Sequence, residues 1–297
     1  MKSRIKWMGM LMVVIATVSS AQAAVVDLVG NGTDIGGFHH FSDTNNWAGG
    51  NLPTSTDVPR FRYNDNDRNK LYLDASPSVA TIVVLDGIQA NIGGPGTMTA
   101  SSYLNMAYTD PSLDLWDSAT VNIGNRIRTT TGTTAITLHN DSTLETQNIS
   151  FDAAGAKLLV TLNNNSMYKQ LGAPQLAANM HADSQFVLND SSSVLMENMT
   201  ASELFDSWFS NGAVFHLNDD ASITLQTSGN NIDDIATYHA AGYLVLNGKT
   251  DAVKDVDYTY NVDTGVLQVI PEPATLGLFM VGTVGVLAVR HRLMDRK

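Results

Sequence analysis

Apolar and polar positions recur in a fixed pattern along the middle of the chain. Six leucines align so that each is followed two residues later by Asp, Asn or Gly, and four residues later by a small residue. The leucines are Leu115, Leu138, Leu162, Leu188, Leu217 and Leu246, and the residues two positions later are Asp117, Asn140, Asn164, Asp190, Asp219 and Gly248. Because Asn, Asp and Gly tolerate the left-handed backbone of a tight turn, the pattern predicts a strand, a turn at these six positions, and a second strand.

The strands on either side of each turn are expected to bury one face. Between Ala135 and Thr146, the apolar residues Ile136, Leu138 and Leu144 alternate with polar neighbours, as in a half-buried strand. One such unit cannot bury its own apolar face, but stacked copies can. The sequence therefore predicts an all-β fold, a parallel β-helix (β-solenoid) with one unit per coil. The alternative fold is a β-sandwich, which would place the leucines in different layers.

The second strand of each unit has its own apolar position, six residues after the leucine. The residues found there are Val121, Leu144, Tyr168, Val194, Ile223 and Ala252. Spacing between the leucines grows along the chain, with values of 23, 24, 26, 29 and 29 residues. Thr200 and Glu203 have the spacing of a helix capping box, and Asn231 and Gly242 are a candidate N-cap and helix stop. The growth in spacing is therefore attributed to short helical insertions.

Both ends of the repeat array differ from its middle. We place the body of the protein at residues 24–270, with an irregular N-terminal cap at 24–80, repeats at 81–255 and a closing hairpin at 256–270. Upstream of Leu115 the frame weakens, because Leu85 keeps Gly87 two residues later but not the later positions. Within the cap, one stretch resembles the W-x-x-G-x-x-P-x-x-x-D segment near the start of many bacterial surface proteins with β-helical repeats. Its matching residues are Trp47, Gly50, Pro53 and Asp57.

Residues 1–23 have the pattern of a cleaved export signal. Three basic residues precede an apolar run of 12 residues from Trp7 to Val18, which is too short to span a bilayer. Ala21 and Ala23 have the small-x-small spacing of a signal-peptidase site. We therefore expect an N-terminal signal helix, export through the Sec translocon, and cleavage by signal peptidase.

A second apolar segment lies near the C-terminus. Residues 274–289 carry no charge and are apolar on every helical face, which predicts a transmembrane helix rather than a core helix. The stiff tripeptide Pro271-Glu272-Pro273 precedes this segment. A basic cluster that should stay cytoplasmic follows it, consisting of Arg290, Arg292, Arg296 and Lys297.

The three-part tail at residues 271–297 closely resembles the PEP-CTERM sorting signal. The resemblance implies a Gram-negative bacterium and recognition by exosortase, a membrane enzyme. It also implies transient anchoring in the inner membrane, followed by removal or transfer of the tail during export to the cell surface or extracellular matrix, often alongside exopolysaccharide production. Because very different proteins carry this tail, it implies nothing about the body.

Composition narrows the chemistry of the body. The chain has no cysteine, which excludes disulfides, thiol catalysis and thiolate metal sites. Residues 24–270 contain 10 Lys and Arg against 27 Asp and Glu, so their net charge is −17. Such a body should repel nucleic acid and anionic lipid. We expect no nucleic-acid partner and no cofactor.

The polar stretch from Tyr63 to Asp74 is a weak candidate for calcium binding. Asp65, Asp67 and Asn69 alternate as in a calcium loop, but the central glycine and distal Glu of an EF-hand are absent. A solvated loop is the stronger interpretation. No two histidines have the His-x-His or His-x3-His spacing of a shared metal ion.

The sequence favours a structural or adhesive role over catalysis. No nucleophile-elbow, Walker or dinucleotide motif occurs in a convincing context, and turns account for most of the aspartates. We therefore expect an exported, exosortase-processed surface or matrix protein that is not an enzyme and associates with exopolysaccharide. One alternative is a carbohydrate-active β-helix enzyme, such as a polysaccharide lyase or hydrolase, with carboxylates and a basic residue converging on one coil face. Another is a β-sandwich carbohydrate-binding module.

Overall fold

Parallel strands stack in register along most of the body and form a β-solenoid of about six turns. The structure is a computed structural model that describes residues 23–63, 66–106, 108–198, 207–226, 238–249, 251–261 and 263–271. Within each coil the chain passes through up to three ladders of parallel strands, which we call the first, second and third ladders. The predicted all-β parallel solenoid is therefore confirmed.

The first ladder forms one sheet. Its strands are β3 (Phe38–His40), β5 (Lys70–Tyr72), β8 (Gln89–Gly93), β11 (Ser112–Leu115), β13 (Thr133–Leu138), β15 (Lys157–Leu162), β17 (Gln185–Leu188), β19 (Val214–Leu217) and β21 (Leu244–Leu246). A short antiparallel strand, β2 (Asp34–Ile35), pairs with β3 at the N-terminal edge.

The second and third ladders share the other sheet. The second contains β6 (Ser78–Val79), β9 (Thr97–Ala100), the first halves of β12 (Thr120–Thr129) and β14 (Thr143–Phe151), β16 (Met167–Gln170), β18 (Ser193–Glu197) and β20 (Ser222–Gln226). The third contains β1 (Val25–Asp27), β4 (Val58–Phe61), β7 (Ile82–Val84), β10 (Tyr103–Met106) and the second halves of β12 and β14. A register shift between Ile123 and Arg126 divides β12 between the two ladders.

The six aligned leucines form one buried row on the first ladder. Each is the direct register partner of the next, from Leu115 to Leu246. The row continues upstream through Ile92 and Leu71. A β-sandwich would have separated these positions, so that alternative is excluded. Leu85, where the sequence frame weakened, lies outside the row, because it follows β7 on the third ladder and Ile92 holds the equivalent position.

The apolar row of the second ladder follows the predicted frame until the last coil. Val121, Leu144, Tyr168, Val194 and Ile223 are successive register partners. Ala252 was expected to be the sixth member, but Ile223 pairs instead with Leu267 in an antiparallel strand. The chain reverses at Asn247 and Gly248, where Lys249 N–H donates to the carbonyl oxygen of Leu246. The last coil is therefore left open for the closing hairpin.

Parallel pairing begins earlier than the repeat frame suggested. Val25 of β1 already pairs with Val58 of β4, within the segment for which the sequence predicted an irregular cap. The early strands span only two to four residues, and they lack the Asx turn that anchors the later frame. A short strand without its turn residue has too few repeated positions to be aligned with the other units.

Short helical turns occupy the place of the third ladder in the later coils. After β14, the only third-ladder pairing among the described residues is the bridge between Ser150 and Gln175. The 3₁₀ helices Ala177–Asn179 and Phe209–Asn211, and the helical residues 238–240, lie between the second-ladder strand and the next coil. Gly242, at φ +81°, ends the last of these, whereas Thr200, Glu203 and Asn231 lie outside the described residues. Two further 3₁₀ helices, Thr44–Asn46 and Asn66–Asn69, lie near the N-terminus.

Candidate sorting site

The C-terminal hairpin closes the solenoid by backbone pairing. Strands β22 (Tyr258–Asn261) and β23 (Val266–Val269) pair with each other, and β23 also pairs antiparallel with β20. Val269, the last residue of β23, is 1% exposed, and its N–H donates to the carbonyl oxygen of Ala221 at 3.1 Å. The end of the body is therefore fixed on both edges up to Val269.

The chain leaves the fold immediately after this strand. Ile270 N–H donates to the carbonyl oxygen of Asp257 at 2.8 Å, and its own carbonyl accepts from Asn247 Nδ2 at 3.4 Å. Pro271 is exposed and has no N–H with which to continue a ladder. The predicted tripeptide thus begins one residue beyond the last backbone hydrogen bond of the body, while Glu272 and Pro273 lie outside the described residues.

The proline-rich exit and the segment beyond it match a known export signal. Residues 269–292 are a PEP-CTERM protein-sorting motif. This motif implies an exosortase-targeted exported protein with a membrane-anchored C-terminal step before processing. No curated protein and no solved structure matches the chain. The first two residues of the PEP-CTERM motif, Val269 and Ile270, also belong to the folded end of the solenoid.

Most of the predicted targeting residues lie outside the described part of the chain. These are Ala21, the segment 274–289, and the basic cluster of Arg290, Arg292, Arg296 and Lys297. Ala23 is exposed and directly precedes Ala24, whose N–H donates to Asp57 Oδ1 at 3.3 Å. Within the described residues, no helix has both the length and the apolar character needed to cross a membrane.

The six predicted turn residues have left-handed backbone. Their φ angles are +59° at Asp117, +57° at Asn140, +59° at Asn164, +55° at Asp190, +57° at Asp219 and +72° at Gly248. Their side chains link the coils, because the N–H groups of Asn140, Asn164 and Asp190 donate to Asn164 Oδ1, Asp190 Oδ2 and Asp219 Oδ2, at 3.4, 3.0 and 3.3 Å. In the last coil the acceptor is Asn247 rather than Gly248, since Asp219 N–H donates to Asn247 Oδ1 at 2.7 Å. These side-chain oxygens therefore accept hydrogen bonds from the turn of the preceding coil.

A second column of side chains, one residue after each leucine, was missed by the sequence analysis. Asn189 Nδ2 donates to Asn163 Oδ1 at 3.0 Å, and Asn218 Nδ2 donates to Asn189 Oδ1 at 2.9 Å. In earlier coils the same column holds Trp116 and His139, whose rings stack 3.7 Å apart and 9° from parallel. Burial lowers the pKa of His139, although Asp114 acts in the opposite direction. The recurrence of Asn at this offset was the signal that could have identified the column.

The weak calcium candidate does not form a described metal site. Asp65 and the side chain of Asp67 lie outside the described residues. Asn69 is buried and bonds within its own loop, where Nδ2 donates to the carbonyl oxygen of Tyr63 and Oδ1 accepts from Tyr63 N–H. In the part of the chain that the structure describes, no three His, Asp or Glu residues are placed to hold a metal ion.

Two of the charged clusters on the outer side of the described coils bear on function, and neither was predicted. On the second ladder, Lys169 Nζ lies 3.4 Å from Glu145 Oε2 and 3.0 Å from Glu197 Oε1. These contacts raise the pKa of Lys169, chiefly through the hydrogen bond to Glu197. A lysine held in the protonated form by two carboxylates is poorly suited to remove a proton from a substrate.

The second cluster surrounds Tyr103 on the third ladder. The guanidinium carbons of Arg126 and Arg128 lie 5.4 and 5.7 Å from the centre of the Tyr103 ring. Arg128 also pairs with Asp152, whose Oδ2 lies 2.6 Å from Nη2, and Arg126 donates to Gln175 Oε1. Hydrogen bonds from Ser150 and Arg128 lower the pKa of Asp152 against the effect of burial. The cluster presents an aromatic ring and hydrogen-bond donors at the surface.

Proposed function

We propose that the exported body has a structural or adhesive role at the cell surface or in the extracellular matrix, in association with exopolysaccharide. The observation that carries the proposal is that the sorting motif begins inside a regular solenoid whose turn oxygens bond to neighbouring coils. A solenoid of this kind presents the same outer positions from coil to coil. Such repetition suits a partner that is itself a repeating polymer.

The Arg126–Tyr103–Arg128 cluster supports a sugar polymer as the neighbour. An aromatic ring offers an apolar face with a hydroxyl at its edge, and arginine offers several N–H donors. These are the groups that can contact the apolar faces and hydroxyls of a sugar. The body is otherwise strongly acidic, with a net charge of −17 over residues 24–270, so this cluster is a favourable place for polar or acidic sugars.

A carbohydrate-active enzyme is the second candidate, and the Glu145–Lys169–Glu197 cluster is the observation that favours it. Two carboxylates flank one basic group on adjacent coils, which is the convergence that the enzyme alternative requires. Against it, both carboxylates are engaged by the same lysine, whose raised pKa keeps it charged. We therefore favour an ion-pair ladder that connects three coils.

The proposal is tested in the natural host with matched tail variants. Changing Pro271 and Pro273 to Ala removes the stiff tripeptide but keeps the apolar and basic segments. We expect the wild-type body to leave the membrane and co-fractionate with exopolysaccharide, and the double variant to stay in the membrane fraction. Enzymatic removal of the polysaccharide should release the wild-type body. Equal fractionation of both chains, or no effect of polysaccharide removal, would contradict the proposed role.

Enzyme activity is tested separately with Glu145→Gln and Glu197→Gln. The structural role predicts unchanged matrix attachment in these variants and no release of sugar fragments by the wild-type protein. Release of sugar fragments by the wild-type protein that is lost in both variants would instead show that the body is an enzyme.

A further inference from the structure

The loop 251–257 exposes two valines at the C-terminal end of the solenoid. Val253 is 55% exposed and Val256 is 65% exposed, which makes Val256 the most exposed large apolar residue in the described chain. The loop precedes β22 and lies between the last coil and the closing hairpin. Because moving apolar surface out of water is favourable, two exposed valines in one short loop favour contact with an apolar surface.

Hydrogen bonds hold the two valines in this outward position. Asp257 turns back into the loop, where Oδ2 accepts from Val253 N–H at 2.8 Å and Oδ1 lies 2.7 Å from Lys249 Nζ. The carbonyl oxygen of Val253 accepts from Val256 N–H at 3.2 Å and from Asp257 N–H at 2.8 Å. The hydrogen bonds from Lys249 Nζ and from Val253 N–H lower the pKa of Asp257. The valines cannot turn inward without breaking these bonds.

The same loop is tied to the start of the tail. Ile270 N–H donates to the carbonyl oxygen of Asp257 at 2.8 Å, and only Pro271, Glu272 and Pro273 separate Ile270 from the uncharged segment that begins at Ala274. Four fully extended residue steps reach at most about 14 Å. Each head-group layer of a bilayer is about 5–7 Å thick. Anchoring of residues 274–289 would therefore bring the loop to the membrane surface.

The charges on the loop favour a neutral lipid surface over an anionic one. Lys254 is exposed between the two valines, but Asp251 and Asp255 are also exposed, and Lys249 is occupied by Asp257. The free charges of the loop therefore do not add up to a basic patch that would attract anionic lipid. Contact would depend on burial of the valines in the interfacial layer.

We propose that the loop 251–257 rests in the head-group layer of the membrane that anchors the sorting tail. The inference rests on the membrane-anchored step that the sorting motif implies. Contact through Val253 and Val256 fixes the C-terminal end of the solenoid against the bilayer and directs the N-terminal end away from it. It also holds Pro271 at head-group depth, where a membrane enzyme can reach it.

The natural absence of cysteine permits a direct test with single labels. Full-length chains carrying Lys254→Cys, Leu176→Cys, Val25→Cys or Ala274→Cys are labelled with an environment-sensitive fluorophore. Each is reconstituted as one chain per nanodisc of phosphatidylcholine, with and without a lipid-borne quencher. Position 274 reports tail insertion, and positions 176 and 25 are exposed controls on the side and at the opposite end of the body.

We expect the quencher to reduce emission at positions 254 and 274 and not at positions 176 and 25. Adding Val253→Ser and Val256→Ser to the Lys254→Cys chain should abolish quenching at 254 while leaving the tail inserted. Phosphatidylglycerol should not increase the quenching at 254.

Each other outcome overturns the inference and identifies what failed. Quenching at 274 without quenching at 254 leaves the anchored step intact but removes the loop from the membrane. No quenching at 274 removes the anchored step as well. The fluorophore at position 254 could instead become shielded from water as the protein concentration rises, with no response to the lipid quencher. That result would assign the loop to contact with a second copy of the chain.

Discussion

The two ends of the solenoid are closed by different means. At the N-terminal end, side chains hold an irregular first coil: Asn46 Nδ2 donates to the carbonyl oxygens of Thr33 and His40 at 3.1 and 3.0 Å, and Gly32 N–H donates to Asn46 Oδ1 at 2.6 Å. Trp47 is 2% exposed, and its Nε1 donates to the carbonyl oxygen of Phe41 at 2.9 Å. At the C-terminal end, the closure is made by backbone pairing of β23 with β20 and of β22 with β23.

The two ends also differ in their relation to the sorting motif. The N-terminal closure is contained within the first coil, where the side chains act together with backbone pairing of β2 with β3 and the bridge between Leu28 and Trp47. The C-terminal closure uses the strand whose last residue, Val269, already belongs to the sorting motif. Loosening the hairpin should therefore change how the tail is presented, whereas loosening the first coil should not.

The largest effect is expected from Trp47→Ala at the N-terminal end. Removing a fully buried tryptophan leaves a cavity, so the free energy of unfolding should fall by about 3–5 kcal/mol. Denaturant unfolding of the purified protein measures the loss. Trp116→Ala is the matched control, since Trp116 is only partly buried and stacks on His139. Similar losses in the two variants would show that Trp47 does not close the first coil.

Val269→Ala should weaken the closure at the C-terminal end of the solenoid. Val269 is buried in the hairpin, and truncating it should cost about 1.5–3 kcal/mol. We expect faster amide hydrogen exchange in β22 and β23, unchanged exchange around Trp47, and altered processing of the tail. The control is Gln268→Ala, because Gln268 lies on the exposed side of the same strand. Uniformly faster exchange along the body would contradict separate closure of the two ends.

A change in the middle of the solenoid supplies a reference for both ends. Asn189→Ala removes the two side-chain bonds that connect Asn189 to Asn163 and Asn218, with an expected loss of about 1–2 kcal/mol. Because each coil contacts mainly its neighbours, hydrogen exchange should accelerate in β15 to β19 and remain unchanged at both ends. Ser191→Ala, which removes a surface bond to Asp220, is the control. Effects that reach either end equally would show that the coils are not independent.

Acid should produce the smallest effect, at the first coil. Asp43 accepts hydrogen bonds from the backbone and hydroxyl of Thr33 and from the backbone of Asn45, which lowers its pKa from 3.8 to about 2. Since the folded-state pKa lies below the unfolded value, this stabilisation is complete above pH 3.8 and is lost as the pH falls through about 2. Exchange of amides in Thr33–Asn46 should rise over that range. Asp43→Asn should flatten the dependence, and an unchanged profile in the variant would assign it to another group.

The middle of the fold could be predicted because each coil repeats two constraints. Leu138 and Leu162 must be buried in one row, and Asn140 and Asn164 must adopt positive φ. The ends could not be predicted in the same way. Trp47, Gly50, Pro53 and Asp57 resembled a known stretch, but nothing in that resemblance indicated that Trp47 bonds to Phe41 or that Asp57 caps Thr54 and Ala24. Such contacts join residues without periodic spacing.

Only part of the candidate functional sites could be predicted from the sequence, for the same reason. The sorting tail could be identified from sequence because its three parts, the tripeptide, the apolar segment and the basic cluster, are contiguous. The Tyr103 cluster could not, because the fold brings its members together from separate segments. The exposure of Val253 and Val256 in the loop 251–257 could not either, because it depends on contacts of the loop with Lys249 and Ile270. The pairing of Arg128 with Asp152, for example, arises from the register of β12 against β14.

Mass spectrometry of the mature C-terminus, in cells with and without exosortase, tests most directly whether the sorting motif begins where the solenoid ends. We predict that cells with exosortase yield a protein that retains Val269 and lacks the basic cluster from Arg290 to Lys297. Cells without the enzyme should retain Lys297 on the same folded body. An identical C-terminus in both strains, or processing upstream of β23, would contradict a sorting motif that begins where the solenoid ends.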